Sequence, residues 1–285
     1  EPLLWKSCAV KTPFCGNAFR PICNCVVLNV RKHNWTTLPK EMREMNALKV
    51  MQINHGPLEV IPDGFDTTFS KVSVLDLSYN ELSRLPISFN NMKIHQLKLA
   101  NNKFNDVSDS IWGSGYIFHL ELDNNNISKI SPSIKNANSL GYLYLSNNSL
   151  VGLPEELFSL NLYLLALDGN KLSQISEGIG NIRLLRTLKL HNNLNITEVP
   201  GSIQRLAKLR DIDLRNNGIE ELPEEALLTL KKSLRYVYLH DNPICSNGWL
   251  TAKPEINDMI QNSDKLGAGC KAQCSIYCQD KWLNS

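Results

Sequence analysis

Hydrophobic residues in this chain come in short alternating bursts separated by polar turns. The stretch from Leu140 to Leu160, LGYLYLSNNSLVGLPEELFSL, shows the unit: Leu143, Leu145, Asn148 and Leu150 in the order L-x-L-x-x-N-x-L, then Leu153-Pro154, Leu157 and Leu160. The same lettering returns along the whole chain. With the Asn position as marker, it falls at His33, Gly56, Asn80, Asn102, Asn125, Asn148, Asn170, Asn193, Asn217 and Asn242. The gaps are 23, 24, 22, 23, 23, 22, 23, 24 and 25 residues, the period of an array of short structural repeats. In each unit the L-x-L alternation predicts a short strand whose leucines point inward and whose x residues point outward. One unit cannot bury its leucines alone, so neighbours must stack strand beside strand.

The pattern therefore predicts a parallel sheet of about ten strands, the first around Val26–Val30, curved over an inner arc of roughly 45 Å at about 4.8 Å per strand. The Asn sits where the chain leaves the strand. Its amide, donor and acceptor at once, can satisfy backbone groups otherwise buried unpaired. Pro39, Pro62, Pro86, Pro132, Pro154, Pro200 and Pro223 open the return segments, where a missing N–H is tolerable. Those segments read LPxxIxxLxxL and suit short helical turns on the convex side. The segment Ile111–Phe118 departs from its neighbours, with two glycines and three aromatics.

Cysteines divide the chain. Cys8, Cys15, Cys23 and Cys25 precede the repeats, Cys245, Cys270, Cys274 and Cys278 follow them, and none lies between. An even count segregated to both ends predicts two disulfide caps in an oxidising compartment. The competing readings are reduced, buried cysteines and a metal site on Cys270, Cys274 and Cys278, which nearby glycines and the lack of neighbouring His disfavour. The expected organisation is an N-terminal cap over 1–25, repeats over 26–242 and a C-terminal cap over 243–285. In the last, Pro254 opens a helix with Ile256, Met259 and Ile260 on its apolar face. Glu1 reads as the mature or cloned N-terminus, which leaves room for a secretion signal removed ahead of it. Asn34, Asn126, Asn147 and Asn195 begin N-x-S/T triplets, glycan acceptors in a secreted chain.

The repeats resemble extracellular leucine-rich repeat ectodomains over roughly residues 23–250. Cys23-x-Cys25 before the first strand is similar to the disulfide caps of secreted members, and Asn242-Pro243-x-Cys245-x3-Trp249-Leu250 looks like the start of their C-terminal cap. Two features depart. The N-terminal cap lacks the usual later cysteine on the first strand, and the GAGCKAQCSIYC tail looks most like caps of oomycete surface proteins. The resemblance implies an α/β solenoid, a leucine-rich repeat horseshoe that recognises a protein or peptide on its concave face. It does not supply the ligand.

Charge and motifs narrow the function further. Thirty basic and 28 acidic residues give a net charge of +2, so no nucleic-acid field is implied. No apolar run approaches a membrane span. No GxSxG, HExxH or phosphate-binding glycine loop is present, so neither an enzyme nor a bound cofactor is expected. The histidines lie on different units without ligand spacing, and His119, His191 and His240 read as plain concave-surface residues. Glu121, Asp123 and Asp168 read as a solvated acidic strip rather than a catalytic pair.

The outward positions carry the functional information, because the fold leaves them free. The middle column runs Asn29, Gln52, Asp76, Lys98, Glu121, Tyr144, Ala166, Lys189, Asp213 and Tyr238. Beside it run Val27, Val50, Val74, Gln96, His119, Tyr142, Leu164, Thr187, Asp211 and Tyr236. Tyr142, Tyr144, Leu164 and Ala166 are expected to form an apolar patch rimmed by Glu121, Asp123 and Asp168, with Tyr236 and Tyr238 as a second patch. A flanking column adds Phe118, Tyr163, Arg186, Arg210 and Arg235. Tyr and Arg dominate binding hot spots, whereas cross-strand packing would make the same tyrosines purely structural. The expected function is a secreted or cell-surface recognition module, the ectodomain of a receptor or adhesion protein binding a protein or peptide. The alternatives are a secreted inhibitor of a foreign hydrolase and an intracellular scaffold.

Overall fold

In a computed structural model, residues 8–11 and 25–262 are described, with side chains from 25 to 260. The chain divides into two compact units, Glu1–Asn148 and Ser149–Ser285. The first holds seven strands: β1 (Cys8–Lys11), β2 (Cys25–Arg31), β3 (Val50–Asn54), β4 (Val74–Asp76), β5 (Gln96–Lys98), β6 (His119–Glu121) and β7 (Tyr142–Tyr144). The second holds β8 (Leu164–Ala166), β9 (Thr187–Lys189), β10 (Asp211–Asp213) and β11 (Tyr236–Tyr238). Within the first unit β2 to β7 pair in sequence order and in parallel, and within the second so do β8 to β11. These six and four strands are the ten that the leucine alternation predicts. The additional strand, β1, pairs antiparallel with β2 and occupies the edge that an unfinished parallel sheet would leave open. No repeat lettering marks it.

The inward leucines behave as the two-residue period demands. Leu97, Leu99, Leu120, Leu122, Leu143 and Leu145 in one unit and Leu188, Leu190, Ile212, Leu214, Val237 and Leu239 in the other are at most 2% exposed. The return segments are mostly single turns of 3-10 helix, such as Pro132–Asn136 and Glu155–Ser159, capped by Ser or led by Pro. Three return segments make α-helical turns instead: α1 (Phe65–Thr68), α2 (Asp109–Trp112) and α3 (Glu224–Leu230). In the departing segment, α2 buries Ile111 and Trp112 while Tyr116 and Phe118 stay exposed. Helix α4 (Pro254–Asn262) forms where Pro254 opens it and buries Ile256, Met259 and Ile260. Among the described residues no helix is long and apolar enough to cross a membrane.

The Asn positions form the hydrogen-bond ladder that the sequence implies. Asn148 Nδ2 donates to the carbonyls of Leu122 and Leu145 at 3.0 and 3.1 Å, and its Oδ1 accepts from Ile127 N–H at 3.0 Å. Asn80, Asn102 and Asn125 repeat the arrangement, as do Asn193, Asn217 and Asn242 in the second unit. The two exceptions to the Asn rule account for each other. A Cβ at Gly56 would meet the His33 ring at 2.2 Å, so the imidazole fills the space that an Asn in the next repeat would need. His33 is buried, and its Nδ1 accepts from Trp35 N–H at 3.2 Å.

A second rung precedes each ladder position. Lys32, His55, Tyr79, Asn101, Asn124, Asn147, Gly169, Asn192, Asn216 and Asp241 all have φ between 49° and 65°. This left-handed conformation favours Asn and Gly, which is why Asn-Asn pairs recur. Asn147, marked in the sequence only by its N-x-S triplet, is exposed but has its backbone held in this conformation.

Of the eight cysteines, only Cys25 and Cys245 lie among the residues with described side chains, and both are disulfide-bonded. The side chains of Cys8, Cys15, Cys23, Cys270, Cys274 and Cys278 fall outside the described residues, as do most of both expected caps.

Candidate functional site

Strand pairing sets the outward columns. In the first unit Gln96, His119 and Tyr142 are partners across β5, β6 and β7, and so are Lys98, Glu121 and Tyr144. Lys98 Nζ and His119 Nε2 both approach Glu121 Oε1, at 2.8 and 2.7 Å. Burial pushes the Glu121 carboxyl up, but hydrogen bonds and charge from His119 and Lys98 outweigh it and hold the group below its usual range. The tyrosines pack on the same histidine. His119 stacks with Tyr142 at 5.9 Å and tilts against Tyr144 at 5.1 Å, while Phe118 meets Tyr142 edge-on at 5.3 Å. Burial, then the charges of Glu121 and Asp123, push the Tyr144 hydroxyl up. Asp123 accepts from Ser146 N–H at 2.8 Å.

In the second unit Leu164, Thr187, Asp211 and Tyr236 pair across the strands, and Ala166, Lys189, Asp213 and Tyr238 pair beside them. Here the columns leave a cavity of about 530 Å³ lined by Thr187, Lys189, His191, Asp211, Asp213 and Arg215, with Leu188, Tyr236 and Tyr238. Its floor is an ion-pair cluster. Arg215 donates to both carboxylate oxygens of Asp213, Nε at 2.8 Å and a terminal nitrogen at 2.6 Å. His191 lies between two carboxylates, Nδ1 3.1 Å from Asp213 and Nε2 3.4 Å from Asp168. Asp213 is 8% exposed. Burial pushes its carboxyl up, but His191 and Arg215 more than reverse that and hold it well below the usual carboxylate range. The guanidinium of Arg215 also lies over the Tyr238 ring at 5.6 Å, and Tyr236 stacks with Tyr238 at 6.3 Å. Thr187 Oγ1 donates to Asp211 at 3.1 Å. Beyond the rim, burial and then the charge of Arg215 hold His240 below the usual histidine value.

The predicted site residues thus fall into two groups. Glu121, Asp123, Tyr142 and Tyr144 belong to the first unit, and Leu164, Ala166, Asp168, Tyr236 and Tyr238 to the second. Ala166 is 1% exposed and has no surface to offer a partner. Asp168 is 9% exposed and engaged with His191, so it is not part of a solvated strip. Sequence reasoning left His191 as a plain surface residue and passed over Asp213 and Arg215. The signal was a third outward column, one place beyond the second leucine, which runs Asp123, Ser146, Asp168, His191, Arg215 and His240. The four sequon residues Asn34, Asn126, Asn147 and Asn195 are all exposed.

Comparison with known proteins agrees with the repeat fold. A family model described as leucine rich repeat matches residues 46–104 and 161–219, and a second of the same description matches 139–160. A mouse protein, transforming growth factor beta activator LRRC32, is 47% identical over 51 residues, which are 17% of this chain and 8% of that protein. Its counterpart from Pongo abelii is 42% identical over 60 residues, 20% of this chain and 9% of that one. This chain therefore spans under a tenth of the length of those relatives. Among solved structures, the leucine-rich repeat ectodomain of the Arabidopsis thaliana membrane receptor kinase GASSHO1/SCHENGEN3, in complex with CASPARIAN STRIP INTEGRITY FACTOR 2, aligns with a TM-score of 0.66. It is 26% identical, covering 79% of this chain and 28% of that one. The leucine-rich repeat domain of the type III effector XopL aligns with a TM-score of 0.64 at 24% identity, over 72% of this chain and 73% of that one, a likeness of fold.

Proposed function

We propose that this chain, whose repeats are leucine-rich repeats, is a recognition module of the cell surface or extracellular space that binds a protein or peptide through its outward columns. The observation that carries the reading is the cavity over β9–β11, which combines rigid aromatic walls with a pre-paired polar floor. Tyr236 and Tyr238 supply contact area at little entropic cost, and Arg215 is fixed by Asp213 before any ligand arrives, so ordering it costs the complex little. The plant receptor ectodomain that shares the fold is held in complex with a factor, and the short LRRC32 match is to a protein described as a transforming growth factor beta activator; both support a protein-binding reading. The exposed sequons and the disulfides at Cys25 and Cys245 fit an oxidising compartment, with stapled caps at 1–25 and 243–285.

Two patches compete for the role of anchor, and the cavity favours Tyr236 and Tyr238 over Tyr142 and Tyr144. Selection of a displayed random-peptide library on the immobilised protein tests this. The selected peptides should lose affinity for Tyr238→Ala and keep it for Tyr144→Ala; the reverse would move the anchor to the first unit. A secreted inhibitor of a foreign hydrolase remains the second reading, because hydrolase surfaces also fit a concave site. Selected sequences that resemble exposed hydrolase loops would favour it.

A further inference from the structure

The arginine column at the strand entrances of the second unit makes a surface separate from the cavity. Arg186, Arg210 and Arg235 stand in register: Arg210 N–H donates to the Arg186 carbonyl at 2.8 Å, and Arg235 N–H to the Arg210 carbonyl at 2.7 Å. The three side chains therefore start about 4.8 Å apart along one line. All three are exposed, and among the described residues none of their guanidinium groups has an ion pair; Arg186 only covers the Tyr163 ring at 5.4 Å. Arg183, Arg205, Lys208 and Lys232, all exposed, come from the same three repeats. Apart from Asp211, whose carboxylate Thr187 engages, the stretches 181–189, 205–211 and 230–236 contain no acidic residue. In a chain with a net charge of only +2, so one-signed a strip is a local field.

Like charges at this spacing repel, and leaving three of them unpaired in a row weakens the fold slightly rather than supporting it. The row matches a ligand that brings its own repeated negative charge. A single phosphate or carboxylate would need guanidinium groups that converge on one point; a line of parallel forks suits an extended polymer with anionic groups at intervals along it. Nucleic acid is the poorer fit, because single strands are held by aromatic platforms between the basic residues; no aromatic stands between these arginines in the column, and Tyr163, next to them in the second unit, already carries Arg186. We propose that Arg186, Arg210 and Arg235 form a binding ladder for a linear sulfated polysaccharide, independent of the peptide cavity.

The test uses heparin as probe. Wild-type protein should leave a heparin column at clearly higher salt than a sulfopropyl column, and in solution its affinity should fall steeply with salt. The triple variant Arg186→Ala, Arg210→Ala, Arg235→Ala should bind heparin at least about tenfold more weakly with a shallower salt slope, while melting at the wild-type temperature and still binding cavity-selected peptides. The variant Lys129→Ala, Lys135→Ala, Lys171→Ala removes the same net charge from other exposed positions and should bind like wild type. Should the triple variant melt lower, Arg210→Ala alone must still weaken binding. Equal losses from the arginine and lysine sets, equal retention on the two columns, or competition by single-stranded DNA as strong as by heparin would overturn the proposal.

Discussion

The outward faces of the two units use the same residue types in equivalent columns and end in different states. Each has a Tyr-x-Tyr strand, a histidine, a basic side chain and carboxylates. Around β5–β7 the histidine lies among the aromatic rings, and Glu121 engages both Lys98 and His119. Around β9–β11 Arg215 and His191 engage the buried Asp213 instead, and the stacked tyrosines are left lining about 530 Å³ of open space. Composition at a column does not decide whether a patch is packing or site; the pairing of neighbours does.

Removing one cation from each unit should break the symmetry most. Arg215→Ala leaves the Asp213 carboxylate buried without its forked donor and should cost about 3 kcal/mol. Lys98→Ala leaves Glu121 with His119 and, at a more exposed pair, should cost less than about 1 kcal/mol. Urea melts of the two variants check this, and equal losses would remove the distinction. The same pairing sets the acid limb. Asp213 titrates below its unfolded value of about 3.9, so its contribution is complete above that pH and is lost as pH falls toward the folded value. Asp213→Asn should flatten the decline of melting temperature between about pH 4 and pH 2, and Glu121→Gln should do so less, if the second unit holds the stronger pair.

Binding comes next in size. Tyr238→Ala should weaken peptides selected on the cavity by about 2 kcal/mol, with Tyr144→Ala nearer zero. Calorimetric titration distinguishes that outcome from its reverse, in which the tyrosines of β7 are the anchor and those of β11 are sheet packing. The turns that both units share supply the remaining comparison. Asn147→Ala should cost about 1 kcal/mol for its left-handed backbone, Asn147→Gly less, and Asn148→Ala more, about 1–3 kcal/mol, because buried partners lose their bonds. Thermal melts that rank Asn147→Gly below Asn147→Ala would place the cost in the lost side chain instead.

Much of this was legible in the letters alone. A two-residue alternation that returns every 22–25 residues dictates which leucines are buried, which asparagines bond backbone and which columns face out, because those follow from strand geometry and the need to satisfy buried amides. The helix opened by Pro254 followed from local signals too. What escaped depends on distances between residues 20 or more apart. No local signal tells that the His33 ring fills the place above Gly56, or that a Cβ at Gly180 would meet the Ser202 carbonyl at 2.4 Å. Strand β1 was invisible because one antiparallel pairing carries no repeat. The site itself was half legible: Tyr236 and Tyr238 were marked by type and column, and Asp213 and Arg215, two residues apart, share one local pairing, while His191 acquired its role only when parallel pairing set it between Asp168 and Asp213 of the neighbouring repeats.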